Sequence, residues 1–349
     1  MLNAIDQPEM EVEGFCERPF TRMKITPEGD VSVCCFQQRN TIGNLFEDSF
    51  EEVWLGLKAR SIRDSTADGK LHRTCITDNC PFVTIDLDSR NISYGKYPSM
   101  IEFDLPTQHC NIGGENPSAD TPACLMCERS IHFVRQKDRL DEVCEVVKPY
   151  VQYLNHVHIQ GVSEPFWKNR IFELTDLLEL YSYKDQLSLS STTNATILTE
   201  EKRSRFLEYP SSCLTFSLDA STPGTYRILR VWDAYDKVVE NLMAYSAERT
   251  NENQQIIIHN NINLININEV VGMVEVAADS GADKLEFNPT YAVETICVNE
   301  SNAKLFKKAE DEIKAAAERL KVDVTFFRPL DLNLCQEKKD KKKIYQIRY

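Results

Sequence analysis

The sequence predicts an α/β protein in which a parallel sheet with helical crossovers follows a small cysteine-rich unit. Two observations predict this class. From Met100 onward, strand-like and helix-like segments alternate, a pattern typical of βα repeats. Before that alternation the cysteines cluster, and eight of the twelve lie between positions 16 and 127. At 349 residues, 42% of them hydrophobic, the chain is long enough for one large domain and a small one.

Composition and charge narrow the function classes. The net charge of −14 argues against a general nucleic-acid-binding surface, which needs a basic footprint. Residues 1–15 lack a basic segment followed by a long apolar run, so neither a secretory signal nor a membrane span is expected. We therefore expect a cytoplasmic protein, whose cysteines are metal ligands or free thiols rather than disulfides.

The cysteine-rich unit begins with a predicted β-hairpin. Residues 23–25 and 31–33 read as short strands around a turn over residues 27–30, which brings Cys34 beside Cys16. A helix is predicted over residues 49–63, with Ser49 as its N-cap and Glu52 at the capping-box position.

The order of these features resembles the SPASM or twitch auxiliary-cluster domain. The spacing Cys16-x12-Gly29-x4-Cys34 and the later segments IGN and SIR match that domain. The closing pair, Cys75-x4-Cys80, is wider than the usual x2 spacing, and the unit precedes the core where it usually follows.

The resemblance implies that Cys16, Cys34, Cys75 and Cys80 hold a [4Fe-4S] cluster with no open position. Cys35 would then be a spare thiol or an exchangeable ligand. A four-cysteine zinc site is the alternative, and the spacing alone does not decide between them. With a polar linker over residues 83–98, the predicted domains are 1–90, 91–329 and a basic, flexible tail over 330–349.

The next stretch delivers three more cysteines to the end of one strand. Residues 100–105 alternate as a strand does, and Cys110 follows in a loop that returns with Cys124 and Cys127. Three thiolates, rather than four, are typical of a metal site that keeps one position open for a ligand. Three unrelated buried cysteines are the alternative.

This loop resembles the cluster loop of the radical S-adenosylmethionine (SAM) superfamily. The Cys110-Asn111 start and the CLMC finish, which includes Met126, match the family, but 13 residues separate Cys110 from Cys124 where the family has three. The resemblance implies a [4Fe-4S] cluster on the three cysteines, with SAM bound at the fourth iron. Residues 111–123 are expected to form part of a lid or substrate wall.

The rest of the chain continues the alternation. Helical segments are predicted over 135–151, 167–181, 226–247, 268–281 and 302–320, and strands over 157–160, 187–190, 214–218, 255–264, 284–287 and 322–327. Counted from Met100, the strands give six βα units and a further strand, although no helix is predicted between residues 190 and 214. That number agrees with the partial (β/α)6 TIM-type barrel of radical SAM enzymes, whose active site lies at the carboxyl ends of the strands.

The turn after the second strand of the repeat resembles the family's Gly-x-Gly-Glu-Pro motif. Gly161 and Glu164 match, while Ser163 replaces the second glycine. The resemblance implies that this turn binds the amino group of SAM. Glu164 could equally be an acid in the first turn of a helix, where it interacts with the macrodipole.

Two further stretches resemble family motifs. SSTTNATIL matches a Thr-Asn-Gly turn, with Asn194 in place and Ala195 at the glycine position. TFSLDASTPGTYRILR matches the stretch at the fourth strand, which implies contacts of Ser217 and Asp219 with the SAM ribose or the substrate, and of Arg230 with a carboxylate or a structural partner. Helix capping is the alternative role of Ser217 and Asp219.

Together the motifs predict a radical SAM enzyme. The family's reaction cleaves SAM reductively to a 5′-deoxyadenosyl radical, which abstracts hydrogen from a peptide, a sugar or a small metabolite. An auxiliary cluster would assist electron transfer, and flavodoxin or ferredoxin would donate the electron. One alternative is a metal-stabilised, non-catalytic binding protein on a degenerate scaffold, which Ser163 and Ala195 favour; another is use of SAM as a methyl or aminocarboxypropyl donor.

Overall fold

The structure is a computed structural model that describes residues 13–34, 41–75, 80, 82–83, 95–112, 124–127, 135–290, 295–297 and 299–326. Its strands are β1 (Arg22–Ile25), β2 (Asp30–Ser32), β3 (Gly43–Asn44), β4 (Met100–Asp104), β5 (His156–Gln160), β6 (Ser188–Thr193), β7 (Ser212–Ser217), β8 (Gln254–Ile262), β9 (Lys284–Pro289) and β10 (Val324–Phe326). They form one sheet of ten strands in the order β10-β9-β8-β7-β6-β5-β4-β1-β2-β3.

The α-helices lie between these strands. They are α1 (Arg18–Thr21), α2 (Phe50–Leu55), α3 (Leu57–Ala67), α4 (Leu140–Val147), α5 (Arg170–Leu177), α6 (Glu200–Phe206), α7 (Pro223–Arg230), α8 (Tyr235–Glu248), α9 (Val270–Ser280) and α10 (Ala303–Leu320). Short 3-10 helices cover Lys148–Tyr153, Trp167–Asn169, Leu180–Tyr183, Ile267–Glu269 and Glu300–Asn302. None of the described helices combines the length and the apolar character that a membrane span requires.

Strands β4 to β10 are parallel, each paired with the next in chain order. The predicted α/β class and its six βα units with a further strand are therefore confirmed. Helix α6, between β6 and β7, was not predicted from the sequence. Its seven residues bury only Arg203 and Phe206, so it lacks a readable apolar stripe.

The two faces of this parallel sheet differ in polarity. On β7, for example, Leu214 and Phe216 are fully buried in the hydrophobic core, whereas Cys213 and Thr215 point to the other side. The apolar face packs against the helices, whose buried side chains belong to the same core. The opposite face is lined by polar side chains, as the interior of an open barrel would be.

Two predicted helices are each divided in two. The predicted capping box of Ser49 and Glu52 is present at the start of α2, but α2 ends at Gly56, whose backbone is extended (ψ 170°), and α3 follows. The helix predicted over residues 226–247 is divided at Val231, which adopts a left-handed conformation between α7 and α8. Apolar spacing continues across both breaks, so periodicity alone did not reveal them.

The N-terminal hairpin continues the core sheet. Strands β1 and β2 pair antiparallel, as predicted, and β1 also pairs parallel with β4 from Arg22↔Met100 to Ile25↔Phe103. This second pairing was not expected. It makes the hairpin and the core parts of one sheet, although the sequence predicts a domain boundary between them.

Buried charges cross this junction on the polar face. Arg22 forms an ion pair with Glu102, and the Lys24 ammonium lies 2.7 Å from Asp104 Oδ2 and 3.5 Å from Glu102 Oε1. The Gln160 amide also donates to Glu102 Oε1 at 2.6 Å. Burial raises the pKa of Asp104, and the positive charge of Lys24 opposes that shift.

Candidate functional site

A cavity of about 260 Å³ lies at the carboxyl ends of the core strands. It is lined by Cys110, Ile112, Cys124, Met126, Cys127, Gly161, Val162, Ser163, Thr192, Thr193, Asn194, Ser217, Arg230 and Asn261. Nine of the eleven residues predicted for the cluster and SAM site of the core are among them. The other two, Glu164 and Asp219, lie behind the wall.

The three cysteines of the predicted cluster loop share this cavity. The Cys127 N–H donates to the carbonyl of Cys124 in a tight turn, and the Leu125 N–H donates 2.8 Å to the carbonyl of Leu229 at the end of α7. As they stand, no three cysteine, histidine, aspartate or glutamate side chains within the described ranges are arranged to hold a metal ion. The loop residues 113–123, predicted as a lid or substrate wall, lie outside those ranges.

The donor set nevertheless fits a cluster with a polar ligand. The three thiols open into one cavity, and thiolates are the usual ligands of iron–sulfur clusters. The Ser163 hydroxyl is buried in the same wall and has no hydrogen-bond partner among the described residues. A bound ligand with a polar group would satisfy this hydroxyl.

The backbone of Gly161 explains why a glycine begins this turn. Its φ is +148°, and a Cβ atom there would lie 2.6 Å from the carbonyl oxygen of Leu105 and 2.8 Å from its nitrogen. The Leu105 N–H donates to the carbonyl of Gln160 at 2.5 Å, which holds the two strand ends together. A larger residue at position 161 would separate them.

Glu164 is turned away from the cavity and is fully buried. Its Oε2 accepts from the Asn194 N–H at 2.6 Å, and its Oε1 accepts from the Thr193 hydroxyl at 2.7 Å and from the Phe166 N–H at 3.2 Å. Burial raises the pKa of this carboxyl to about 7, although these hydrogen bonds act to lower it. The residue thus fixes the turn after β6, and its predicted contact with SAM stays a prediction.

Asn194 links the turn after β6 to the loop that begins at Cys110. Its side-chain amide donates to Asn111 Oδ1 at 2.9 Å, and the Asn111 amide donates to the Thr196 hydroxyl at 2.8 Å. Ala195, at the position of the family's glycine, adopts a positive φ of 58°. The turn keeps the left-handed conformation that glycine favours, although alanine occupies it.

Asp219 and Arg230 form a buried ion pair beside the cavity. The Asn261 N–H donates to Asp219 Oδ1 at 2.7 Å, and Arg230 Nη1 lies 3.9 Å from Cys124 Sγ. The carboxylate partner of Arg230 is therefore Asp219 within the chain itself. Asn261 was not predicted as a site residue, and the asparagine-rich run NNINLININ was the signal that could have indicated it.

A second cavity, of about 420 Å³, lies on the same polar face, nearer the amino ends of β5 to β8. It is lined by His156, His158, Ser188, Ser190, Ser211, Ser212, Cys213, Thr215, Asn253 and Gln255. Ser190 and Thr215 precede Thr192 and Ser217 of the first cavity by two residues, about 7 Å along a strand.

Two histidines in the second cavity share one hydroxyl. His156 Nε2 and His158 Nδ1 each lie 2.6 Å from Ser190 Oγ. Burial lowers the pKa of His156 to about 4 and that of His158 to about 3, so both imidazoles are neutral at pH 7. This cavity therefore offers uncharged donors and acceptors.

Of the four N-terminal cysteines predicted to hold the auxiliary cluster, three lie near one another, namely Cys16, Cys75 and Cys80. Cys16 is buried, which raises the pKa of its thiol to about 11, and Cys80 and Cys75 are near enough to raise that pKa further. Cys34 is buried at the end of the hairpin. The role predicted for Cys35 falls outside the described residues.

Arg63, from the SIR segment, stabilises this unit. It is buried, and its guanidinium donates to the carbonyls of Pro19 and Trp54 at 2.7 and 2.8 Å while it stacks on the Trp54 ring. The segment that carried the resemblance thus joins helices α1, α2 and α3.

Comparison with protein families identifies this unit. Residues 16–81 match the SPASM family, an iron–sulfur cluster-binding domain, which confirms the predicted auxiliary domain and its class of cofactor. No curated protein matches the sequence.

Solved structures with a similar fold are distant. SuiB of Streptococcus suis bound to S-adenosylmethionine is 12% identical, with a TM-score of 0.49 over 66% of this chain and 50% of SuiB. AnSMEcpe with bound AdoMet is 18% identical, with a TM-score of 0.49 over 66% of this chain and 64% of the other. A radical SAM methyltransferase from Sphaerobacter thermophilus is 10% identical, with a TM-score of 0.44 over 62% and 63% of the two chains. The chain spans half to two thirds of these proteins.

The chain therefore combines a SPASM iron–sulfur cluster-binding domain over residues 16–81 with an open, parallel α/β core. The resemblance found in the sequence is confirmed for the SPASM domain, and the predicted α/β class is confirmed for the core.

Proposed function

We propose that the chain is a radical SAM enzyme whose reaction occurs in the first cavity. One observation carries the proposal: all three cysteines of the predicted loop line this cavity together with Gly161 and Asn194. Cys110, Cys124 and Cys127 would hold a [4Fe-4S] cluster, and SAM would occupy the remaining space. When bound, that pair supplies one-electron cleavage of the sulfonium to a 5′-deoxyadenosyl radical.

The residues of the chain bind and orient the ligand. The unpartnered Ser163 hydroxyl would hydrogen-bond SAM, and Ser217 and Asn194 present further polar groups to the same space. Glu164 would act indirectly, because its carboxylate accepts from the Asn194 N–H and holds that turn in place instead of contacting the ligand.

The second cavity would hold part of the substrate. It is lined by the same strands as the first, β6 to β8, and its hydroxyl, amide and neutral imidazole groups suit an uncharged polar group. Peptides, sugars and small metabolites can all present such a group, so these are the classes to screen.

The auxiliary cluster, on four cysteines, would accept or relay an electron.

Metal analysis and SAM cleavage test this proposal. The chain is reconstituted anaerobically with iron and sulfide, and dithionite-driven formation of 5′-deoxyadenosine is assayed with SAM. We expect about eight irons in the wild type and about four in a triple variant with Cys110, Cys124 and Cys127 changed to Ala. Only the wild type should form 5′-deoxyadenosine.

A matched variant controls for the loss of a thiol. Cys144→Ala removes a fully buried cysteine of α4, outside the cavity, and should retain the iron and the activity of the wild type. Zinc in place of iron, or full iron without SAM cleavage, would contradict the proposed function and indicate a binding protein.

A further inference from the structure

We propose that Arg230 positions Cys124 and raises the reduction potential of the cluster that Cys110, Cys124 and Cys127 would hold, while Asp219 limits that effect. The inference rests on the proposed function, because it assumes a cluster on those thiols. Arg230 would thus act on the Sγ atom of Cys124, whereas the sequence suggested a carboxylate or a structural partner for it.

Arg230 meets the cysteine segment through both its side chain and its backbone. Its Nη1 lies 3.9 Å from Cys124 Sγ, and the thiol lies 3.9 Å from the Arg230 carbonyl oxygen. One residue earlier, the Leu229 carbonyl accepts from the Leu125 N–H at 2.8 Å. The last turn of α7 therefore fixes the place of Cys124 in the cavity wall.

The guanidinium is enclosed and charged. Only 8% of Arg230 is exposed, and Asp219, with no exposed surface, pairs with Nη2 of its guanidinium, whereas Nη1 is the nitrogen near Cys124. Burial by itself would lower the pKa of Arg230, but the negative charge of Asp219 raises it overall. The site thus contains a cation next to a predicted cluster ligand, with an anion paired to the same guanidinium.

The backbone leaves α7 directly after Arg230 through a strained conformation. Val231 has φ 56° and ψ 24°, the left-handed region, which β-branched residues rarely adopt. Such a conformation persists only where the surrounding structure holds it, and strained residues occur often at functional sites. The strain ends α7 at the residue that contacts Cys124.

Charge explains the expected effect on the potential. One electron from a low-potential donor reduces a [4Fe-4S] cluster from the 2+ to the 1+ state, and the reduced state carries one more negative charge. A cation and an N–H donor beside a ligand sulfur favour the more negative state. Loss of the Arg230 charge should therefore lower the potential, and loss of the Asp219 charge should raise it.

The test uses the full-length, reconstituted protein with three variants: Arg230→Gln, Arg230→Lys and Asp219→Asn. Iron is counted in each, and the cluster signal is followed by electron paramagnetic resonance during a redox titration with dithionite. The relevant signal is identified by its loss in the triple cysteine variant. The signal of the auxiliary cluster serves as an internal reference in every sample.

We expect Arg230→Gln to shift the equilibrium toward the oxidised state by at least tenfold, which is about 59 mV for one electron. Arg230→Lys, which keeps the charge, should shift it less. Asp219→Asn should shift it in the opposite direction. Arg205→Gln breaks an exposed ion pair with Asp176 and should leave the potential unchanged.

The outcomes separate this inference from the proposed function. A wild-type chain without a reducible cluster on the three cysteines overturns both. A reducible cluster whose potential is the same in Arg230→Gln and Asp219→Asn overturns only the role of Arg230. If Arg230→Gln fails to retain iron, Asp219→Asn decides: a higher potential supports the inference, and an unchanged or lower one overturns it.

Discussion

Arg22 of the N-terminal hairpin forms an ion pair with Glu102 of the first core strand. Glu102 has no exposed surface, and Lys24 and Gln160 also contact its carboxylate. Burial of a carboxylate is tolerated when charged and polar groups satisfy it, and it is costly when one of them is removed.

We therefore predict that Glu102→Leu lowers the free energy of unfolding by about 3 kcal/mol, because it leaves Arg22 buried without that partner. Denaturant unfolding of the single and double variants measures the effect. The double variant Arg22→Met, Glu102→Leu should recover part of the loss. Strictly additive losses would show that the two side chains are not coupled.

Gly161→Ala should destabilise the end of the β5 strand. The added Cβ would overlap the backbone of Leu105 at 2.6 Å, and the φ of +148° strains any side chain. We expect a loss of at least about 2 kcal/mol of unfolding free energy, together with weaker SAM binding measured by calorimetry.

Gly224→Ala is the matched control for that substitution. Gly224 lies in α7, and a Cβ there meets no atom within 4 Å. It should stabilise the helix by about 0.5–1 kcal/mol. Equal effects of the two alanines would argue against a special role of the Gly161 backbone.

Glu164 should make stability depend on pH. Its pKa rises from 4.5 to about 7 on folding, so the folded chain binds the proton more tightly than the unfolded chain. Stability from this group is therefore lost as the pH rises from 4.5 to 7, and between pH 5.5 and pH 8.5 the loss is about 2 kcal/mol. Lys202, whose charge acts to lower that pKa, is the nearby cation.

Unfolding at these two pH values, in wild type and in Glu164→Gln, measures this contribution. The variant should lose about 2 kcal/mol less across the interval, although it should be less stable throughout. In this variant, an amide nitrogen at the position of Oε2 would face the Asn194 N–H, and two donors cannot form a hydrogen bond with each other. The same pH dependence in both proteins would mean that Glu164 does not titrate in this range.

Arg63→Leu should destabilise the SPASM domain by about 3 kcal/mol, because the carbonyls of Pro19 and Trp54 would lose a buried donor. Arg60→Leu, on the exposed side of the same helix, should cost less than about 1 kcal/mol. Thermal unfolding and the iron content of both variants check this. Similar losses in the two would place the effect in helix propensity rather than in the Arg63 contacts.

The sequence was sufficient for the order of the core strands and indicated nine of the residues that line the first cavity, while the roles of those residues stay predictions. Local signals can be recognised in a sequence without knowledge of the fold. The apolar alternation of β5 and β7 is such a signal, and so are the turn residues Gly161 and Asn194. The direction in which Glu164 points was not readable, since it depends on donors from Thr193 and Asn194, which come from the next strand.

The pairing of β1 with β4 was hidden for a similar reason. More than seventy residues separate the two strands, and no periodicity records which edge a hairpin joins. The charges of Lys24 and Glu102 were visible, but their complementarity has meaning only once the register is known. Val231 was missed because its conformation contradicts the intrinsic preference of valine.

The pairing of β1 with β4 should also limit self-association through the edge of the core sheet. A long parallel strand with a free edge offers unpaired backbone groups to another chain. Here β1 covers the edge of β4, and the outermost strands of the described sheet, β3 and β10, have only two and three residues. A shortened chain that begins at residue 91 would expose the edge of β4 and should aggregate more readily than the full chain in a light-scattering measurement.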